Sequence, residues 1–291
     1  MDTQDAVREF LASRRARITP EQAGLPSFGG TRRVAGLRRA EVAMLAGVSP
    51  DYYTRIERGN LSGVSESVLD AIARALHLDE AERSHLYDLA RAANSSPRVR
   101  RRPTKQQQIR PGVQSLLDAM TEAPAFVRNG RLDILAANSL GAALYSPAFE
   151  ATTAPVNLAR FCFLHPAADE LYPDWDEAAN TTVALLRTEA GRDPYDKALS
   201  DLVGELATRS DDFRTRWAAH DVRLHHTGVK RFQHPVVGRL ELAFEAMPLL
   251  ADPGLTLTAY SATVGTPAGD ALRMLASWAA TKPSTEAPAS Q

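Results

Sequence analysis

The residues of this chain best suited to chemistry lie between Ser49 and Arg58, in the run SPDYYTRIER. Arg55 carries a planar guanidinium that can donate two parallel hydrogen bonds to O6 and N7 of a guanine in the DNA major groove. Tyr52 can bond a phosphate or pack on a thymine methyl. Asp51 is unhelpful to phosphate; it can accept from cytosine N4 or simply favour a helix N-terminus. Against the base-reading role of Arg55 stands an ordinary surface ion pair with Asp51 at i,i+4.

Such residues need a helix that presents its first turn outward, and Leu37 to Gly59, LRRAEVAMLAGVSPDYYTRIERG, has that pattern. Val42, Ala43 and Ala46 make one apolar face, and Tyr53 and Ile56 make another, all at helical spacing. Gly47 marks the turn between them, Val48 plugs the crossing, Ser49 can cap the second helix and Pro50 costs its first turn no hydrogen bond. Tyr52 and Tyr53 must face different ways, which sends Tyr53 to the core and leaves Tyr52 exposed. A helix over Ala6–Arg17 comes before. After it come a helix capped by Ser65, with Leu69, Ile72 and Leu76 inward, and a helix opened by the Asp79/Glu82 capping box, with Leu86 and Leu89 inward. Five helices in 1–92 make a complete all-α DNA-binding domain with a helix-turn-helix.

The segment from Thr31 to Gly59, TRRVAGLRRAEVAMLAGVSPDYYTRIERG, with VLDAIARALHLDEAERSHLYDLA after it, resembles the lambda-repressor-like (XRE) regulators. Its wording resembles the MmyB-like transcriptional regulators in particular. The resemblance implies that Ser49, Asp51, Tyr52 and Arg55 face base edges. It also implies that Arg38, Arg39 and Arg58, at the helix ends, and Arg32 and Arg33, in the preceding Gly-rich loop, meet the sugar–phosphate backbone. Arginines there add affinity and register but little sequence preference.

The charge distribution agrees with a polyanion at the front of the chain. Residues 1–110 hold 19 Lys+Arg against 13 Asp+Glu, net +6, whereas 111–291 hold 15 against 22, net −7. Residues 93–110 (ANSSPRVRRRPTKQQQIR) lack apolar periodicity and carry six basic residues, reading as a basic linker, either a solvated tether or an arm on phosphates. The single cysteine, Cys162, excludes an intrachain disulfide or multi-cysteine zinc site and sits in an apolar run as a core residue. No apolar run is long enough for a bilayer and none resembles a signal peptide, so a cytoplasmic location is expected, without membrane contact.

From Pro111 the pattern changes. An amphipathic helix (GVQSLLDAM) leads to two short strands joined at Asn129–Gly130, and a helix runs from Ser139 to Tyr145. Helices fill 166–220, three strands follow (KRFQHPVVG, RLELAFEAMPL, LTLTAYSATVG), and a last helix, GDALRMLASWAA, ends the ordered pattern. This predicts an α+β domain over 111–281, an antiparallel sheet with helices over one face, and a disordered tail, 282–291. PAFVRNGRLDILAAN, NLARFCFLHPAADELYPDW, KRFQHPVVGRLELAFE and TAYSATVGTPAGDALRMLASWA resemble the MmyB-like ligand-binding domain. That resemblance implies a PAS-like fold and a fatty-acid-like ligand, with Asn138 bracing the sheet–helix junction.

The resemblance makes the apolar and aromatic Phe126, Leu135, Phe161, Phe163, Trp175, Trp217, Phe244 and Tyr260 candidate pocket residues, although each taken alone reads as plain core. Arg160, His220, Arg223 and His234 are the polar candidates for a carboxylate or hydroxyl, or else surface groups. His165 and Asp169 sit at i,i+4, but the histidines lack matched carboxylates, so no metal and no cofactor is expected. No G-x-S-x-G, G-x-G-x-x-G, P-loop or H-E-x-x-H motif supports an enzyme. Two readings of the back half remain: a sensor for a small apolar ligand, or a pure dimerisation module. Two-fold operators on double-stranded DNA require a homodimer in either case.

Overall fold

The computed structural model describes residues 3–25, 34–94, 108–151, 155–219 and 226–281. Helices α1 (Thr3–Arg17), α2 (Arg39–Leu45), α3 (Pro50–Glu57), α4 (Glu66–Ala75) and α5 (Glu80–Asn94) match the five expected. They enclose one core in which Phe10, Leu11, Val42, Ala43, Tyr53, Ile56, Ile72, Leu76, Leu86 and Leu89 are buried. The capping signals hold: Ser49 Oγ accepts from the Tyr52 N–H at 3.1 Å, and Asp79 and Glu82 exchange backbone-to-carboxylate bonds of 3.1 and 2.8 Å. Gly47 turns the chain between α2 and α3 at φ +67°, where a side chain would be strained. Gly59 ends α3 at φ +97°, and a Cβ there would lie 2.5 Å from the Gln4 backbone.

The chain divides into two compact units, and the division is not a single cut. The first unit joins residues Met1–Pro103 to Val183–Leu224, and the second joins Thr104–Thr182 to His225–Gln291. Residues 183–224, read from sequence as part of the back half, therefore group with the front helices. They comprise the end of α11 (Trp175–Arg192), then α12 (Lys197–Arg209) and α13 (Asp211–Ala218). The close approach is built from small residues and charges, which leave no periodic signal in sequence. Gly191 has no side chain because a Cβ would meet the His85 ring at 2.5 Å, and Arg192 lies 3.5 Å from Asp88. Arg187 sits over the Trp217 ring at 4.1 Å and donates to the Trp217 carbonyl.

The second unit is α+β. Helix α6 (Pro111–Ala119) leads to β1 (Ala125–Asn129) and β2 (Ile134–Ala137), then α7 (Ser139–Leu144), α8 (Ser146–Ala151), α9 (Leu158–Leu164) and α10 (Ala167–Leu171). After the excursion come β3 (Thr227–His234), β4 (Gly238–Pro248), β5 (Leu255–Ser261) and α14 (Pro267–Thr281). The five strands form one antiparallel sheet in the order β2-β1-β5-β4-β3. Alternation puts Phe126, Thr258, Tyr260, Phe244, Leu242, Leu240 and Phe232 on one face, as the paired register requires. Helices cover that face, but α6 lies on the other, where Val113 and Leu117 pack on Val127, Leu255 and Leu257; the expectation of helices on one face only is corrected.

Two local details explain the registers. Asn138 caps α7 by accepting from Gly141 N–H (2.7 Å) while also accepting from Ala125 N–H (3.0 Å), and its amide donates to the Met120 and Ala123 carbonyls. It is the brace the resemblance implied. The β1–β2 turn places its positive φ on Leu132 (+68°) and not at Gly130, because Asn129 Oδ1 accepts from both Arg131 and Asp133 N–H and the Leu132 side chain is buried.

Candidate functional site

The candidate nucleic-acid face is the α2–turn–α3 surface. Arg55 is exposed and stacks over the Tyr52 ring at 4.9 Å; no carboxylate pairs with it among the described residues, so the alternative Asp51–Arg55 pair is not formed. Tyr52 is half-buried where sequence suggested exposure, because its ring packs against the edge of the core while steadying Arg55. Asp51 is exposed in the first turn, and Ser49 is committed as the cap while keeping its hydroxyl proton to donate. Arg38, before α2, and Arg58, after α3, are both exposed and without side-chain partners among the described residues, in the right state to meet phosphates. Arg32 and Arg33 lie outside the described residues, as does most of the basic linker.

Arg39 differs from that simple picture. Its Nε donates to Glu57 Oε1 at 2.9 Å, and the Glu57 side chain is fully buried. Arg15 holds the same carboxylate through Nε (2.9 Å) and Nη2 (3.0 Å) and donates to the Leu37 carbonyl as well. Burial of Glu57 disfavours its charge, but the Arg15 hydrogen bonds and then the Arg15 and Arg39 charges win and hold the carboxyl below its usual range. The Tyr53 hydroxyl is pushed well above its ordinary value, first by burial and then by Glu57. Arg14, from the basic run near the N-terminus, is also internal, bonded to Glu82 at 2.7 Å. The front half thus spends part of its positive charge on its own core.

In the second unit, four of the predicted pocket residues meet. Phe126, Phe161, Phe244 and Tyr260 belong to one buried cluster. Phe163 and Trp175 meet edge to face at 5.8 Å, half-buried, with Trp175 Nε1 donating to the Cys162 carbonyl. Two others are elsewhere. Leu135 lies against the α6 side of the sheet, because the β1–β2 register shifts between Val127 and Arg128 and leaves Leu135 as an extra residue facing the same way as Ala136. Trp217 belongs to the first unit, stacked on Phe213 at 5.5 Å. His220 and Arg223 are outside the described residues. Arg160 is half-buried, its N–H bonded to Asn157. His234 is fully buried: Nδ1 accepts from Val236 N–H, which makes Nε2 the donor to the Ala143 carbonyl (3.0 Å) and gives the ring a structural task. His165 likewise accepts from the Ala167 N–H.

The centre of the cluster was not singled out from sequence. Tyr145, Tyr172 and Phe232 surround the ammonium of Lys230, whose Nζ is 4.7 Å from the Tyr172 ring, 5.5 Å from Phe232 and 5.7 Å from Tyr145. Nζ donates to Tyr145 Oη at 3.3 Å, and Tyr145 Oη shares a 2.6 Å bond with Tyr260 Oη. Burial lowers the Lys230 pKa to about 8, with the Arg128 charge acting in the same direction. Burial raises Tyr145 and Tyr172 far above their ordinary value and takes Tyr260 to about 12. The sequence signal was the alternation of β3: Lys230, Phe232 and His234 occupy successive inward positions, and a lysine at such a position demands an explanation.

A helix-turn-helix whose second helix exposes an arginine unpaired among the described residues, joined to an α+β domain with an aromatic core, defines a DNA-binding regulator with a sensing domain. The chain belongs to the MmyB-like transcription regulators: the model of the MmyB-like transcription regulator ligand binding domain matches residues 109–275. A helix-turn-helix domain model matches residues 8–86. No curated protein matches the sequence. No helix of the described residues is long and apolar enough to cross a membrane.

Proposed function

We propose that this regulator binds an operator sequence-specifically as a homodimer in the cytoplasm, and that a small apolar, fatty-acid-like ligand in its PAS-like second unit modulates that binding. The observation that carries the DNA half is Arg55, held over Tyr52 with its donors uncommitted. The five-stranded antiparallel sheet with helices over its aromatic face supports the PAS-like assignment. The cluster of Phe126, Phe161, Phe244 and Tyr260 supports an apolar occupant.

The cleft beside Lys230 has a volume of ≈ 40 Å³, far below the ~300 Å³ of an ordinary ligand pocket. Ligand entry therefore requires the aromatic core to open. Glu177, Ala178 and Thr181 line that cleft from the first part of α11, and Gly191 and Arg192 at its other end approach His85 and Asp88 of α5. A second reading, a pairing module only, is favoured by the outer face of β3 and β4, where Val229 and Met247 are exposed.

The test is selection of bound genomic DNA, followed by affinity titrations on the selected operator with and without a panel of saturated fatty acids. Operator affinity that shifts with an acid supports the sensor. A panel that neither binds nor alters affinity, with an intact dimer, leaves the pairing module.

A further inference from the structure

The outer face of the sheet is covered over one half only. Helix α6 lies on the β1–β5 half, where Val113 and Leu117 pack on Val127, Leu255 and Leu257. The β3–β4 half turns Thr227, Val229, Arg231 and Gln233 outward, in register with Glu245, Ala243, Glu241 and Arg239. Val229 and Met247 are large apolar side chains left exposed there. Beside them an open groove of ≈ 650 Å³ runs from Arg239, Glu241 and Ala243 to Ser261, Thr263 and Thr266. An antiparallel sheet tolerates water on one face, so exposure alone says little. The arrangement of charge says more.

In the middle of this half, Arg231 and Glu241 answer each other across the strands at 3.1 Å, and Arg231 also holds Asp174 at 3.0 Å. The charges at its two ends are not matched. Arg239 has no ion-pair partner among the described residues, and Glu245 accepts only the Thr227 hydroxyl, at 2.8 Å. One open cation and one open anion thus stand six residues apart on one strand, about 20 Å at the rise of a strand. Both point outward, with Ala243 and its neighbour Val229 between them.

We infer that this half of the sheet is the surface through which two copies of the chain pair. A two-fold axis lying in the interface, across the strands and level with Leu242, sets the two sheets face to face. It places Arg239 of each copy opposite Glu245 of the other, because 242 is the midpoint of the two positions. Each copy then supplies the charge the other lacks, twice per dimer, while Val229, Ala243 and Met247 leave water and the groove takes up protruding side chains. A partner of one sign is not favoured: Arg231 and Arg239 are balanced by Glu241 and Glu245, so this face offers a nucleic acid or an acidic peptide no net attraction. The inference rests on the homodimer reading above and gives it an interface; it holds whether the second unit senses a ligand or only pairs.

The experiment is sedimentation velocity of the full chain over a range of concentrations and salt, free and with bound genomic DNA. The wild type must dimerise, and less tightly as salt screens the two end pairs. Arg239→Glu and Glu245→Arg each set like charges opposite one another at two points, and each must weaken the dimer about a hundredfold or more. The double variant Arg239→Glu, Glu245→Arg must recover it, because opposite charges meet again. That recovery separates a direct contact from damage to the fold, as does circular dichroism of each variant. If a reversal does not fold, Val229→Asp and Met247→Asp decide by the same measurement, each weakening the dimer. A dimer indifferent to these changes, or a double variant no tighter than the single ones, overturns this interface and leaves the homodimer standing. A chain that is monomeric at every concentration, free and on DNA, removes the homodimer reading and the interface with it.

Discussion

Replacing Glu57 by glutamine should destabilise the first unit strongly while barely changing its shape. Glu57 Oε2 accepts from Arg15 Nε, and Oε1 accepts from both Arg15 Nη2 and Arg39 Nε, all at 2.9–3.0 Å. A glutamine keeps one oxygen for Arg15 Nη2 and Arg39, but its NH2 then points at Arg15 Nε, donor against donor. Breaking a buried ion pair from one side costs about 3–5 kcal/mol. Arg15 is only 17% exposed and bears most of that cost, whereas Arg39 is 49% exposed and recovers water, so its share is discounted. The expected loss is about 2–3 kcal/mol. Its pH dependence has a definite sign. The native carboxyl titrates below its ordinary value, so its contribution is complete above the unfolded pKa of about 4.3 and is lost as pH falls through the native one. The gap between wild type and variant should therefore be constant from pH 7 to about 5 and close in acid. Denaturant unfolding followed by circular dichroism gives the size, and hydrogen exchange over α1–α3 gives the location. A loss under about 0.5 kcal/mol, or a gap unchanged in acid, would refute the proposed role of the triad.

Arg55→Ala should relax preference at one base position per half-site by about 1–3 kcal/mol while leaving affinity for scrambled DNA nearly intact; binding titrations on both DNAs check this. Arg58→Ala should weaken operator and scrambled DNA alike and lower the salt slope by about one, read from affinities at several salt concentrations. Arg39→Ala should do the same and also lower the unfolding midpoint, because it strips one donor from buried Glu57; an unchanged midpoint would contradict the observed bond. Asn138→Ala removes four hydrogen bonds at the α7 start and should cost the second unit about 3 kcal/mol, measured by denaturation of the full chain.

The front helices were legible because each carries two independent local signals: an apolar stripe and a cap. Val42, Tyr53, Ile56, Ile72 and Leu89 were placed by period alone, and Ser49, Ser65 and Asp79 fixed where helices start. The sheet was legible for the same reason, with alternation in β4 setting Leu240, Leu242 and Phe244 inward. What was not legible depends on partners distant in sequence. Leu135 and Leu257 share a face only once the β1 register is known, and Trp217 leaves the aromatic set only because 183–224 joins the other unit. Lys230 shows the same limit from the polar side: one-dimensional pattern gives its direction, but only the fold brings the Tyr145, Tyr172 and Phe232 rings around it.

Charge bookkeeping connects the two units more closely than motif matching does. A count of basic residues in the front half suggests a generous supply for phosphate, yet Arg14, Arg15 and Arg39 each answer an internal carboxylate. Among the described residues, the arginines around the helix-turn-helix that remain uncommitted are Arg38, Arg55 and Arg58, spread along the α2–α3 surface, which suits register and base choice more than bulk attraction. In the second unit the balance is different: its overall charge is negative, yet the half-buried ammonium of Lys230 has no carboxylate within ion-pair distance among the described residues. Internal acids are matched in the first unit, where rigidity positions a reading head. In the second, Lys230 keeps its charge beside aromatic rings and shares its cleft with Glu177.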